Sequence, residues 1–326
     1  MIRALIVGLG RWGQILVSSA QGNSDQIRFV AGVTRTRSKA EEFARKSGFE
    51  LLDTYEEALQ RDDIDAVVLA TRHSQHAEQI IQAAAANKHV FVEKPFTMTR
   101  KSALEAIAAC EKAGVILSVG HNRRFLPAMK DLHDLIDSGK LGQILHVEGN
   151  CSGDQGYRFQ EGNWRATPAE SPGGGFTGKG IHVVDSMVHL CGRISEVQAI
   201  SLKQILKAGM DDTTSMLFRF ESGMSGYLGT ISATGNIWRM FVFGSEGWAE
   251  MREQDCLVTC FREGETTVKN YPDFNTEKAE LEAFAAAVEG KAAYPMTSKE
   301  AVNVIGVMEA LITSATSGKA SPVPLE

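Results

Sequence analysis

Leu5-Ile6-Val7-Gly8-Leu9-Gly10-Arg11-Trp12-Gly13 opens the chain with an apolar run that leads directly into three glycines spaced as G-x-G-x-x-G. The run predicts a buried strand, and the helical periodicity behind it predicts a helix. Gly8 permits a tight turn, Gly10 lets a pyrophosphate approach the backbone, and Gly13 allows close helix packing. The stretch predicts a dinucleotide site, with a glycine-rich turn that binds no ligand as the alternative. Its predicted cofactor contacts are Gly8, Leu9, Gly10, Arg11, Trp12 and Gly13.

The first 120 residues continue this alternation of short apolar runs with longer segments of helical periodicity. Such alternation is typical of βαβ units, and it predicts a doubly wound parallel sheet in an α/β Rossmann domain over residues 1–120. The predicted strands are 5–7, 29–33, 66–70, 90–92 and 115–119, and the predicted helices are 13–21, 38–47, 74–87 and 100–113.

The pattern changes after residue 120. Strand-like segments separated by glycine-rich turns, with little helix between them, predict an α+β domain over residues 121–326, built on a large, open, mainly antiparallel sheet. The predicted strands are 144–147, 216–220, 224–231, 237–243 and 257–261, and the predicted helices are 126–138, 181–191, 277–288 and 299–314.

Length and composition limit the class of protein. The 326 residues exceed a usual single core, and the 43% hydrophobic and 23% charged content is ordinary for a globular chain. A net charge of −6 argues against nucleic acid as a partner. No apolar run reaches the ~18 residues of a membrane span, so we expect a cytoplasmic protein without a membrane partner. The five cysteines lack a Cys-x-x-Cys pair, which favours reduced thiols and predicts no metal site.

The end of the second strand reads Val33-Thr34-Arg35-Thr36-Arg37-Ser38-Lys39. An NAD site usually has Asp or Glu here, which accepts a hydrogen bond from the ribose 2′-OH, whereas a 2′-phosphate needs arginine and hydroxyl donors. The turn has no acid. Thr34, Arg35 and Arg37 therefore predict NADP as the favoured cofactor, with NAD possible and a solvated basic turn as the alternative.

Two further loops follow predicted strands, so they lie at the same carboxyl edge of the sheet. Thr71, Arg72 and His76 come after strand 66–70 and are predicted to line the nicotinamide side; a packing role is the alternative for His76. Val92-Glu93-Lys94-Pro95-Phe96 holds Glu93 and Lys94 at a strand end that the proline terminates. A lysine there can act as a proton donor. The alternative is a surface turn with a solvated ion pair.

In the second domain the richest stretch runs from Trp164-Arg165 through the glycines of residues 173–175 to His182 and Asp185. His182 and Asp185 are three residues apart in a predicted helix, hence on one face. An imidazole can exchange a proton with a substrate hydroxyl near neutral pH, and a nearby carboxylate can orient it. The pattern therefore predicts a site for proton transfer.

Taken together, these motifs resemble the Gfo/Idh/MocA oxidoreductase family, the glucose-fructose oxidoreductases, inositol dehydrogenases and their relatives. The matching pieces follow the family's order along nearly the whole chain. They are Gly8 to Gly13, Thr71 to His76, Glu93-Lys94-Pro95, Asn122-Arg123-Arg124-Phe125, Trp164-Arg165, Gly180-Ile181-His182-Val183-Val184-Asp185 and the two closing helices.

The resemblance implies an NAD(P)-dependent dehydrogenase that acts on sugars, cyclitols or related polyols, with Lys94 and His182 as its catalytic residues. It also implies that the open sheet joins subunits into a homo-dimer or homo-tetramer. The substrate contacts expected from the resemblance and the motifs are Arg124, Trp164, Arg165, Thr177 and Asp185, with a scaffold role equally open for Arg124 and Arg165.

Two positions depart from the family pattern. Many members carry a catalytic Asp four residues before the histidine, where this chain has Gly178, and proline is usual at Arg72. The change at Gly178 leaves a different class of protein open, an NADP-binding sensor or partner protein that has lost catalysis. The retained Lys94 and His182 favour the enzyme.

Overall fold

The computed structural model of the chain describes residues 1–159, 162–207 and 209–325. Contacts divide the chain into two units: Met1–Asn122 with Asn275–Ser298, and Arg123–Phe274 with Lys299–Glu326. The sequence predicted one boundary near residue 120 and two consecutive domains. The structure differs in that residues 275–298 return to the first unit, because the apolar face of their helix packs in its core.

The helices of the described residues are named here in chain order. They are α1 (Arg11–Ala20), α2 (Glu41–Ser47), α3 (Tyr55–Leu59), α4 (His76–Ala85), α5 (Arg100–Ala113), α6 (Pro127–Asp137), α7 (Ile181–Cys191), α8 (Thr276–Val288) and α9 (Ser298–Ser317).

The first unit is built on a parallel sheet of six strands in the order β3-β2-β1-β4-β5-β6. Its strands are β1 (Ile2–Val7), β2 (Ile27–Val33), β3 (Glu50–Leu52), β4 (Ala66–Leu69), β5 (His89–Glu93) and β6 (Leu117–Gly120). The strand order reverses between β1 and β4. In doubly wound sheets ligands bind outside the carboxyl ends of the strands at such a reversal.

The core of the first unit depends on apolar side chains of its strands and of α8. Phe29, Phe91 and Phe284 are all at most 1% exposed, and the rings of Phe91 and Phe284 lie 5.8 Å apart. Full burial of one such ring contributes roughly 1.5–3 kcal/mol. The late segment 275–298 is thus an integral part of the first unit.

The second unit is built on a sheet of nine strands in the order β14-β13-β12-β11-β7-β10-β9-β8-β15. Only β7 and β10 pair in parallel among them; their other pairings are antiparallel. The predicted fold class is therefore confirmed for both halves. The strands are β7 (Ile144–Ser152), β8 (Ile194–Leu202), β9 (Thr213–Phe220), β10 (Ser225–Ile231), β11 (Ile237–Gly244), β12 (Gly247–Arg252), β13 (Cys256–Phe261), β14 (Thr267–Asn270) and β15 (Ser321–Pro322).

Helix α9 is tied to edge strand β8 by buried side chains. The Asn303 amide bonds both backbone groups of Ile194, and the Ser314 hydroxyl accepts from the Ala199 N–H. Buried polar groups of this kind are expensive to leave unpaired, so they fix the register of the helix on the sheet. Within the described ranges, no helix is long and apolar enough to span a bilayer.

Candidate active site

The glycine loop joins β1 to α1 as the sequence predicted. Gly8 has φ +95°, and a Cβ added to it would lie 2.5 Å from the Ala70 carbonyl oxygen. A Cβ on Gly13 would lie 2.0 Å from the Gly8 carbonyl oxygen. A Cβ on Gly10 meets nothing within 4 Å. The loop is therefore tight on the protein side and open at Gly10, where α1 begins without a side-chain cap.

This geometry fits the diphosphate of a dinucleotide. The first N–H groups of a helix have no partner within the helix, and the helix dipole favours an anion at this end. Leu9 is buried and Arg11 is exposed, so the loop presents backbone and one cation on its open side. The residues present fit a bound nicotinamide cofactor.

The two arginines of the turn after β2 that are predicted to bind a 2′-phosphate differ in whether their charges are already paired. Arg35 is exposed and makes no hydrogen bond or ion pair in the described part of the chain, and Thr34 is half-buried beside it. The Arg37 guanidinium is already paired, with Asp53 at 2.7 Å and Glu41 at 3.6 Å. Arg35 is the better placed of the two arginines to receive an anion.

The loop after β4 lies next to the glycine loop, because Val7 of β1 pairs with Leu69 of β4. The Thr71 hydroxyl donates to Gln79 at 2.6 Å. His76 is fully buried at the start of α4, and its Nδ1 lies 2.8 Å from the carbonyl oxygen of Pro95. Arg72 is half-buried and precedes a short 3₁₀ turn. This contact gives His76 a packing role, and its contact with the cofactor remains a prediction.

Glu93 and Lys94 lie at the end of β5, the next strand along the sheet. Glu93 is 6% exposed and accepts from the Lys94 N–H at 3.2 Å, and the Lys94–Pro95 peptide bond is cis. Burial raises the pKa of Glu93 to about 7, against the opposing charge of Lys94 and the nearby Trp12 indole. Burial therefore favours the protonated form of the carboxyl beside the candidate catalytic lysine.

Glu93 and Trp12 share a further property that the sequence did not reveal. Glu93 Oε1 and Trp12 Nε1 are both buried, and although the Trp12 indole lies close enough to lower the pKa of Glu93, neither atom has a hydrogen-bond partner of good geometry among the described residues. Buried atoms of this kind are rare and need an explanation. One acceptor and one donor at the sheet edge suit the amide and hydroxyl groups of a bound nicotinamide riboside.

In the second unit His182 lies in the first turn of α7, which follows a π-helical turn at Phe176–Gly180. His182 is 5% exposed. Gly178 is exposed one turn earlier, and a Cβ there would meet nothing within 4 Å. Thr177 is fully buried, and its hydroxyl donates to the Pro172 carbonyl oxygen. The position of the family's acid is thus open space, while Thr177 has a structural contact.

Asp185 is clamped in a buried ion network. Arg124 donates to Asp185 from Nε and Nη2, and its Nη1 lies 2.9 Å from Glu300 and 3.3 Å from His189. The side chains of Arg124 and Asp185 are 1% and 0% exposed. Burial, helped by the charge of Arg124, lowers the pKa of His189 to about 4. The network gives Arg124 and Asp185 a structural role, and both remain predicted substrate contacts.

Trp164 and Arg165 form the remaining predicted pair. They lie in a short 3₁₀ turn, and the Arg165 guanidinium carbon stacks 4.1 Å from the centre of the Trp164 ring. Arg165 is exposed and Trp164 is half-buried. Both remain predicted substrate contacts.

Two family models match the chain. The oxidoreductase family model with an NAD-binding Rossmann fold matches residues 2–121, and the GFO/IDH/MocA C-terminal domain matches residues 129–250. The chain belongs to the Gfo/Idh/MocA family. The resemblance inferred from the motifs is confirmed, and the protein is an NAD(P)-dependent oxidoreductase of a family with sugar and cyclitol substrates.

Individual Gfo/Idh/MocA proteins match over most of their length. The scyllo-inositol 2-dehydrogenase (NAD(+)) of Bacillus subtilis is 31% identical over 309 residues, covering 88% of this chain and 86% of that protein. The myo-inositol 2-dehydrogenase of Thermotoga maritima is 31% identical over 76% and 74% of the two chains. The solved structure of a levoglucosan dehydrogenase with NADH and levoglucosan, at 22% identity and full coverage of both chains, has a TM-score of 0.90 and shares the fold.

Proposed function

We propose that the protein transfers a hydride between C4 of a nicotinamide cofactor, with NADP favoured, and the carbinol carbon of a sugar, cyclitol or related polyol. The observation that carries this proposal is the position of Lys94. It follows β5 at the same sheet edge as the open glycine loop, beside the buried Glu93. When bound, the nicotinamide ring supplies the hydride acceptor or donor.

The protein's own residues supply binding and proton transfer. Lys94 hydrogen-bonds the reacting oxygen and carries its proton, as a positioned general acid or base does. Burial raises the pKa of the adjacent Glu93, which favours the protonated carboxyl next to Lys94. His182 acts as partner or relay for the proton, and the ion network of Asp185 and Arg124 holds α7 in place.

The preference for NADP rests on the turn after β2. Thr34 stands where an acid would repel a 2′-phosphate, and the exposed Arg35 is available for a charge-assisted hydrogen bond. The related scyllo-inositol 2-dehydrogenase is named for NAD(+), so family membership alone does not predict NADP. The predicted preference of this chain for NADP therefore depends on the sequence of the turn. A homo-oligomer and a cytoplasmic location also remain predictions.

The experiment is a turnover screen with both cofactors over polyols, cyclitols, aldoses, ketoses and sugar acids. We expect absorbance at 340 nm to change with at least one substrate, faster with NADP(H). NADPH binding without turnover on any of them would instead support the sensor alternative, which the open position at Gly178 suggests.

A further inference from the structure

A polar cluster surrounds Gly153, directly after β7 in the second unit. A Cβ on Gly153 would lie 2.2 Å from Lys179 Nζ, 2.3 Å from Asn236 Oδ1 and 3.1 Å from Gln155 Oε1. Three side chains from different parts of the sequence therefore converge on one point that only glycine leaves open. We call Lys179, Gln155 and Asn236 the Gly153 cluster.

Lys179 is the charged member of the cluster, and not all of its N–H donors have hydrogen-bond acceptors among the described residues. In the described part of the chain its ammonium makes one hydrogen bond, to the Ser152 carbonyl oxygen at 3.0 Å, and no ion pair. An ammonium has three donors. The Arg158 guanidinium, and to a smaller degree the Lys179 ammonium, lower the pKa of Asp154, whose two oxygens are both 2.9 Å from Arg158 Nη2. The acid closest in sequence is thus already held by another cation.

Gln155 adds an acceptor. Its Nε2 donates to the Ser232 hydroxyl at 3.2 Å, while its Oε1 is buried and has no hydrogen-bond partner among the described residues. Asn236 is exposed on the other side of Gly153. The cluster thus offers two donors of the ammonium, a buried acceptor and an amide.

The cluster lies at the helix that carries His182. Lys179 is in the π-helical turn and Gly178 precedes it, one turn before His182. Gly178 and Lys179 are four and three residues before His182, in the turn that leads directly into its helix. With glycine instead of an acid at position 178 and an ammonium at Lys179, this segment carries a positive charge and no negative one.

We propose that the Gly153 cluster binds the carboxylate of the substrate, so that the substrates are hydroxy acids derived from sugars, such as aldonates or uronates, rather than neutral polyols. This rests on the proposed function. Lys179 donates to the carboxylate, and Gln155 Oε1 accepts from the adjacent hydroxyl. A carboxylate carries the single charge that one lysine matches, whereas a phosphate dianion is usually bound by arginine or several donors.

The first experiment measures binding to the NADP complex by calorimetry. Its probes are aldonates and uronates of five and six carbons, each paired with the alditol or aldose of the same stereochemistry and with the sugar phosphate. At least one acid should bind about 10- to 150-fold tighter than its neutral counterpart. The proposal is overturned if no acid exceeds its neutral counterpart, or if the phosphates bind tighter than the acids.

The second experiment uses variants with the best-binding acid. Lys179→Met should weaken its binding roughly 10- to 150-fold, and Lys179→Arg should restore most of it. Gly153→Ala, which places a methyl group against the ammonium, should act like Lys179→Met. Lys140→Met removes an exposed lysine of the same unit and should change nothing.

Ionic strength separates a charge contact from a structural role. Added salt should weaken acid binding by the original protein more than by Lys179→Met, because salt screens the ammonium. Equal salt dependence in the two proteins would overturn the assignment of Lys179.

The outcomes also separate this inference from the proposed function. Turnover of neutral polyols, together with acid binding that Lys179→Met does not weaken, would overturn the carboxylate site and leave the oxidoreductase intact. Tight binding of acids without turnover by either cofactor would support the site and overturn the proposed reaction.

Discussion

The guanidinium of Arg124 and the carboxylate of Asp185 form a buried ion pair in which Nη2 and Oδ1 are 2.8 Å apart. Asp185 is one helical turn after His182, so the pair anchors the helix that carries the candidate catalytic histidine. Removal of one partner of a buried pair leaves the other charge uncompensated. We therefore expect substitutions in this network to lower the free energy of unfolding more than they change the chemical step.

Asp185→Ala should lower the free energy of unfolding by about 3–5 kcal/mol, the usual cost of breaking a buried pair. Urea denaturation followed by circular dichroism measures it. Asp134→Ala is the matched control, since it breaks an exposed pair with Lys130 and should cost less than about 1 kcal/mol. Equal losses in the two variants would contradict a structural role for Asp185.

Stability should depend on pH through Glu93. Its pKa is about 7 in the folded protein against an ordinary value of 4.5, so the folded state keeps a proton that the unfolded state releases. Stability is then lost as pH rises from about 4.5 through 7, and Glu93→Gln should remove that loss.

The measurement is the urea midpoint between pH 5 and pH 8. Glu78→Gln, at an exposed position of α4, is the control and should keep the original slope. An identical pH slope in Glu93→Gln and the original protein would mean that Glu93 is ionised at neutral pH.

Lys94→Met should lower kcat about 10²- to 10⁴-fold and leave NADPH binding within a few-fold, because a proton carrier acts on the chemical step. His182→Ala should act in the same direction. Stopped-flow and steady-state rates on the true substrate provide the test, with Lys101→Met at an exposed position as control. A Lys94→Met enzyme with nearly unchanged kcat would refute the assignment.

The cofactor preference should follow Thr34 and Arg35. Fluorescence titration should give NADPH a dissociation constant about 10- to 150-fold below that of NADH, from one charge-assisted hydrogen bond. Arg35→Ala combined with Thr34→Asp should abolish or reverse this ratio. Arg45→Ala, an exposed arginine on α2, should keep it. If the double variant still prefers NADPH, the turn is only a solvated surface.

The sheet of the second unit should join copies of the chain. Leu217 and Tyr227 face each other across β9 and β10 and are 55% and 37% exposed, and the rings of Phe241 and Phe243 stack 5.3 Å apart on β11. Light scattering at micromolar concentration should show a dimer or tetramer. The double variant Leu217→Lys with Tyr227→Lys should shift the oligomeric state toward monomer. Leu104→Lys, at an exposed position of α5, should leave the oligomeric state unchanged.

The sequence predicted most of the fold because its signals are local. Each of these signals lies within about a dozen residues. Examples are the apolar run Leu5 to Val7, the glycines that follow it and the helical period of α7. Strand β3 was missed because three residues carry too little pattern. The return of α8 to the first unit was missed because no local signal shows which core an apolar helix face joins.

The candidate site likewise contains residues that local motifs predict and residues that only tertiary packing brings together. Lys94 and His182 stand in motifs, whereas the partners of Arg124 are 61 and 176 residues away and depend on tertiary packing. The sequence showed Lys179 beside the gap at Gly178, yet its approach to Gly153 and Asn236 depends on the course of β7 and β11. The burial of Thr177 and Asp185 likewise depends on tertiary packing, which sequence alone does not give.

The late segment 275–298 determines when the first unit can be completed during synthesis. Leu281, Phe284 and Ala285 belong to its core. A nascent chain that has reached residue 122 already carries every strand of the first sheet but lacks these side chains, so it exposes part of an apolar core on the ribosome. The first unit therefore reaches its full core only after nearly the entire second unit has been translated.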